Sequence, residues 1–335
     1  MPHLEAESSF PLFCEVLDML TDYIDRIKNG IQVPQKKLRK LGTLCEGVVE
    51  TTPVVWQGSL LRFEWVRSSL WGEGHDERSE GHYRFVDMAT EDAVGAPFAH
   101  AHAFGCAFTK DGVMYAHGVR GNGGATNVID VFWSEDLIRW KAEEAIALPK
   151  EWKIYNTSVC KGRDGYVMAI EVEGPCEILG CRYTILFATS SDCRHFTLLP
   201  VEEHMFLKER YTACPSIRYV DGFYYMVYLE RMPFARWAPY IVRSRDLSLF
   251  EPGIVNPFMM FDEEDKRVLR PDRFDDEGLL RLEEAVNCNA SDVDFCEHEG
   301  KTVILYSWGN QHGKEYLARA EYEGGLSEFL QSFFE

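Results

Sequence analysis

Five β-hairpins on one plan recur along this chain, and no other feature limits its fold as strongly. The stretch Tyr155–Glu171, YNTSVCKGRDGYVMAIE, is two short apolar runs about a charged turn, and the plan returns in Glu50–Glu64, Tyr211–Glu230 and Ser291–Asn310. The turn glycines Gly58, Gly112, Gly165, Gly222 and Gly300 lie 54, 53, 57 and 78 residues apart. A second motif, Ser-x-Asp with an aromatic a few residues on, starts at Ser134, Ser190 and Ser244, at spacings of 56 and 54 residues. Two independent motifs with one period mean one structural unit repeated. Each interval has room for about four short strands, the size of a propeller blade. The expected fold is therefore all-β, a five-bladed β-propeller over residues 41–335. A β-sandwich would also give strands, but not this fixed spacing.

Residues 1–40 are expected to form a helical extension. Phe13, Val16, Leu17, Leu20, Ile24 and Ile27 follow helical spacing, with Ser9 as N-cap and Gly30 and Pro34 ending the pattern. This amphipathic helix, about residues 10–29, either packs onto the main domain, the preferred reading, or mediates a homo-oligomer. The long last interval holds a charged insertion near residues 262–286.

Composition narrows the function. The net charge of −19 argues against nucleic acid and anionic membrane surfaces, where basic side chains must neutralise phosphate. A neutral ligand such as a sugar is compatible with it. The ten cysteines include no C-x-x-C pair, and Cys106, Cys160, Cys214 and Cys296 sit inside apolar runs, as small hydrophobes do. MPHLEAESSF lacks the basic and apolar regions of a signal peptide. The expectation is a reduced, cytoplasmic protein. No phosphate-binding glycine loop is present, and no cofactor is expected.

The five repeats, with turns such as SEDLIRW, SSDCRHF and SRDLSLF, resemble the five-bladed propeller glycoside hydrolases of the family 43, 32 and 117 type, from about Leu41 onward. The resemblance implies a pocket at one mouth of a central channel, lined by the starts of the innermost strands. It implies an Asp in the first blade as base or nucleophile, an Asp in the third tuning the acid, and a Glu in the fourth as general acid. Counting back from the turn glycines, the first of these positions is Glu50, eight residues before Gly58. The second is Asn156, nine before Gly165, which cannot ionise. The third is Ala213, two before Pro215, so the general acid of that pattern is missing here.

Other residues can replace it. Asp292 is eight residues before Gly300, the offset of Glu50, and Asp294, two further on, shares its face because strand side chains repeat every second residue. Both could serve function, or pair with Arg and cap amides. Glu64, Glu171 and Glu230 each end the second strand of a hairpin, beside the start of the first and hence near Glu50, Asn156 and Thr212. Glu171 and Glu230 are the preferred substitute acids. Arg231 could pair with Glu230 or bind a substrate carboxylate. His102 could donate a proton near neutral pH. His100 and His102 also fit metal spacing, but no third ligand is identifiable, and no metal is expected. Trp308 is the preferred sugar-stacking platform among Trp56, Trp65, Trp133, Trp237 and Tyr155, with Asn310, Gln311 and His312 beside it for hydroxyl contacts.

The reading is a glycoside hydrolase acting on an oligosaccharide or glycoside. Its candidate catalytic residues are Glu50, Glu171, Glu230, Asp292 and His102. Asn156, Thr212, Arg231, Asp294, Trp308, Gln311 and His312 are the candidates for substrate binding. The alternative is a non-catalytic carbohydrate-binding propeller.

Overall fold

The computed structural model describes residues 38–67, 81–121, 126–311 and 315–334. The expected N-terminal helix and His312 lie outside these residues. The compact unit Lys37–Glu335 contains all that follows.

The described residues are mostly β. The first strand, Leu38–Glu46 (β1), runs across the boundary expected at residue 40. Four successive antiparallel units follow it in sequence order. The first unit is Thr51–Trp56 (β2), Ser59–Val66 (β3), His82–Asp87 (β4) and Ala93–Phe98 (β5). The second is His102–Lys110 (β6), Val113–Arg120 (β7), Val128–Ser134 (β8) and Lys141–Ala147 (β9). The third is Lys153–Lys161 (β10), Tyr166–Glu173 (β11), Tyr183–Ser190 (β12) and Thr197–Leu198 (β13). The fourth is Thr212–Val220 (β14), Phe223–Met232 (β15), Arg236–Ser244 (β16) and Phe250–Pro252 (β17). Asn289–His298 (β18), Lys301–Gly309 (β19) and Glu315–Tyr322 (β20) form a fifth, whose outer strand is β1, antiparallel to β20. One parallel bridge, Trp237 to Asn289, joins the fourth unit to the fifth. The leading strands β2, β6, β10, β14 and β18 touch one another in succession, and β18 touches β2.

Local chemistry explains the repeat. Four hairpins turn on a residue pair with both φ angles positive: Gln57–Gly58, Asp111–Gly112, Asp221–Gly222 and Glu299–Gly300. That geometry matches the right-handed twist of the flanking strands, and glycine adopts it at no steric cost. In the Ser-x-Asp turns, Oδ1 of Asp192 accepts from the Arg194 and His195 amides, and Oδ1 of Asp246 accepts from those of Ser248 and Leu249. Each carboxylate thus satisfies a tight turn that would otherwise leave donors open. Aromatics fill the space between successive sheets, as where Phe98 stacks on Trp140 at 3.7 Å.

The insertion fastens the fifth unit. Lys40 of β1 is buried, with Nζ 2.8 Å from Asp265 and 3.1 Å from Asp262. Asp265 is fully buried and also accepts from Tyr306 Oη at 2.7 Å and Asn287 Nδ2 at 2.8 Å. Backbone bonds between Thr43 and the residues Arg267 and Leu269 lay the insertion along β1.

Candidate active site

Four of the five leading strands break register near their starts, β2 pairing without a shift, and these breaks shape the site. Pairing shifts between Ala103 and Cys106, Ile154 and Thr157, Ala213 and Ser216, and Ser291 and Asp294. A bulge of this kind re-aims a side chain. Glu50, Phe104, Cys214 and Asp292 each lie eight residues before the turn glycine of their unit and adopt left-handed φ values of 55°, 52°, 48° and 50°. All four line one pocket. Non-glycine residues seldom hold this conformation, and it concentrates at functional sites.

The pocket has a volume of about 260 Å³, near the lower end of the roughly 300–1,000 Å³ usual for small-molecule sites. Four carboxyl groups line it: Glu50, Glu171, Asp292 and Glu315. Glu171 is buried on β11; its Oε2 accepts from Asn156 Nδ2 at 3.0 Å and from the Cys214 amide at 2.9 Å. Glu315 opens β20 and accepts from Asn289 Nδ2 at 3.0 Å and the Gln311 amide at 2.7 Å. Asp292 accepts from Ser291 Oγ at 2.6 Å. Oε2 of Glu50 is shut off from solvent and has no hydrogen-bond partner among the described residues.

Burial sets their acidity. Removal from water disfavours the charged form and pushes both Glu171 and Glu315 up to about 7, against the hydrogen bonds they accept. Glu50 is raised well above the ordinary carboxyl range, first by burial and then by the neighbouring Asp292 charge. Asp292 is raised by burial, opposed by the Ser291 and Cys214 hydrogen bonds and the Arg67 charge. Among the described lining residues Arg67 is the one cation, and its guanidinium lies 5.1 Å from the Trp65 ring centroid.

An aromatic run forms one wall. Trp65, Phe104, Tyr155, Tyr183 and Tyr211 succeed one another at ring-centroid distances of 5.0, 5.4, 5.5 and 5.4 Å. The last four of these line the pocket. Carboxyls and aromatic rings lining one pocket can hold a hydroxylated ring by its edges and its face while exchanging protons with it.

Of the residues expected from sequence, Glu50, Asn156, Glu171, Asp292 and Gln311 come together here, and Tyr155 with them. The others lie elsewhere. Glu230 faces Thr212 across the hairpin, as the antiparallel geometry requires, but its carboxylate accepts from Tyr228 Oη at 2.8 Å and pairs with Arg210 at 2.9 Å. Thr212 is fully buried outside the pocket lining. Arg231 is exposed, and its guanidinium lies over Trp237 rather than pairing with Glu230. Glu64 is held by Arg62 and Arg84. His102 Nε2 is 2.8 Å from Asp130 Oδ2, and Arg120 holds the same carboxylate. Trp308 is fully buried, stacked on Tyr316, and donates to Thr43 Oγ1 at 2.8 Å. The bulge parts Asp294 from Asp292: Asp294 pairs with Arg218 at 2.5 Å and accepts from Ser216 at 2.5 Å. It lines a smaller void shared with Glu50, Cys214 and Asp292. Among the described residues, no three His, Cys, Asp or Glu side chains are grouped to hold a metal ion.

The sequence reading passed over Cys214, Phe104, Glu315, Arg67, Tyr183 and Tyr211. The count of eight residues back from Gly222 and Gly112 would have found Cys214 and Phe104. Arg67, Tyr183, Tyr211 and Glu315 stand at strand ends or in loops and carry no periodic signal.

No family model matches the sequence, and no curated protein matches it. Solved structures do match in fold. A complex of BT0996 with RGII is 12% identical, with a TM-score of 0.60, covering 86% of this chain and 93% of the other. A glycosyl hydrolase from Bacteroides ovatus is 14% identical, with a TM-score of 0.51 and coverages of 82% and 84%. A structure from the GH130 family of mannoside phosphorylases, which contains glycoside hydrolases that target β-1,2 mannosidic linkages in Candida mannan, is 13% identical. Its TM-score is 0.51, with coverages of 83% and 85%. The chain thus shares its fold with these structures, glycoside hydrolases among them.

Proposed function

We propose that the five antiparallel units are five blades around one axis and that the chain is a glycoside hydrolase acting on an oligosaccharide or glycoside in the axial pocket. One observation carries this reading: Glu50 and Asp292, from two different units, hold the same left-handed position and line one pocket. Hydrolysis of a glycosidic bond needs two carboxyls, one to donate a proton and one to activate water or attack. Environments that push two carboxyls apart in acidity assign those roles. Burial raises both carboxyls, but at Asp292 the hydrogen bonds from Ser291 and Cys214 oppose it, which makes Asp292 the one assigned as base or nucleophile. Glu50, desolvated and beside that charge, keeps its proton and is the acid. This reverses the role that counting alone gave Glu50. Glu171 and Glu315 flank the pair and hold substrate hydroxyls. The RGII bound to one protein of this fold supports a carbohydrate ligand. The nine described cysteines are all free, which supports a reducing, cytoplasmic setting.

A non-catalytic carbohydrate-binding propeller is the second reading, and Ala213 at the acid position of the family pattern favours it. A panel of aryl glycosides and oligosaccharides, tested with wild type beside Glu50→Gln and Asp292→Asn, separates the two. Cleavage by wild type that both variants lose supports the enzyme. Glycan binding without any cleavage by wild type supports the binding module and rejects the enzyme.

A further inference from the structure

The pocket gathers four carboxyl groups, Glu50, Glu171, Asp292 and Glu315, and among the described residues only one cation lines it, Arg67, which is already engaged with the Trp65 ring. Oε2 of Glu50 is buried with no partner among the described residues. An unsatisfied buried polar group costs free energy until a partner reaches it. Burial first, and the neighbouring Asp292 charge after it, push Glu171 and Glu315 up to about 7, so both share their protons with water near neutral pH. An opposite charge placed within a few ångströms would restore their ionised forms. The aromatic wall adds attraction, because ring faces draw cations. A neutral ring can offer hydrogen bonds but brings no such charge.

Resting on the glycoside reading of this site, we infer that the sugar bound in the pocket is a basic one, a pyranoside carrying a free amine whose ammonium group sits beside the flanking carboxyls Glu171 and Glu315. Acylating the amine removes the charge, leaves one N–H donor and adds bulk. Replacing it by hydroxyl removes the charge alone. Both changes weaken binding.

Calorimetric titration of the full-length protein at pH 7 tests this. The probes are methyl pyranosides in matched sets: 2-amino-2-deoxy, 6-amino-6-deoxy, the corresponding N-acetyl compounds and the parent sugars. The expected result is that an amino sugar binds about tenfold tighter than its parent, equivalent to about 1.4 kcal/mol. Protons are released on binding, seen as heats that vary with the ionisation enthalpy of the buffer. Glu315→Gln, which keeps an acceptor for Asn289, should narrow the preference. If neutral or acetylated sugars bind or are cleaved as well as every amine, the inference is overturned and the glycoside reading stands. If no sugar of any charge is bound or cleaved, both fall.

Discussion

The backbone N–H of Cys214 donates to Oε2 of Glu171 at 2.9 Å, so the bulge of β14 holds a buried carboxyl of β11 in place across two units. This contact makes the acidity of Glu171 a property of the assembled fold and ties stability to pH. The folded-state value of about 7 lies above the ordinary 4.5, so between these values the folded chain binds more protons than the unfolded one. Stability from this group is full below about pH 4.5 and is lost as pH rises through about 7. Glutamine keeps one oxygen for the Cys214 and Asn156 donors without the charge. Glu171→Gln is therefore expected to match wild type near pH 5 and to be more stable at pH 8 by about 2 kcal/mol. Urea denaturation at the two pH values checks this; equal differences at both would refute it.

Substitutions in the central pair should act on turnover more than on binding. Asp292→Asn and Glu50→Gln are each expected to lower kcat by about 10²–10⁴-fold, the range of lost acid–base catalysis. KM should change little, because both replacements keep hydrogen-bonding atoms in place. Steady-state kinetics on the best aryl glycoside from the panel decides; a rise in KM at unchanged kcat would move these residues to binding only.

The aromatic wall yields a separate expectation. Tyr183 touches Tyr155 and Tyr211 edge-on at 5.5 and 5.4 Å, so it fixes the run as well as lining the pocket. Tyr183→Ala is expected to weaken glycan binding by about 1 kcal/mol, while Tyr183→Phe keeps most of it, since ring geometry carries the contact. Calorimetric affinities of the two variants should differ in this order.

Between β1 and the insertion, the buried Lys40–Asp265 pair predicts a marked asymmetry. Lys40→Met leaves a buried carboxylate without its cation and is expected to cost about 3–5 kcal/mol. Lys40→Met with Asp265→Leu should recover part of that loss, because the stranded charge is gone. Denaturant midpoints of the single and double variants give the coupling.

Much of this architecture was legible because hairpin spacing is a local signal. The turn glycines and Ser-x-Asp motifs mark each unit, and the chemistry of a tight turn depends on few residues. The offset of eight also led to Glu50 and Asp292. Side-chain direction was less legible. Glu230 and Glu64 look like Glu171 in sequence, yet arginines at positions 210, 62 and 84 draw the first two into ion pairs. Asp294 was placed beside Asp292 by strict alternation, which the bulge at Ser291–Asp294 breaks. Trp308 ends a strand among polar neighbours, and the stacking of Tyr316 against it is a long-range fact. Glu315 reaches the pocket through pairing of its backbone with Gly309, which local pattern does not announce.

The antiparallel pairing of β1 with β20 also orders events in time. During synthesis β1 leaves the ribosome before β20 and waits while everything between Glu46 and Glu315 is made. Throughout that interval the nascent polypeptide carries an unfinished edge, a template for wrong pairing with other molecules. A circular permutant that encodes β1 directly after β20 would turn this long-range closure into a neighbouring hairpin. It should fold faster and aggregate less on refolding than the natural order.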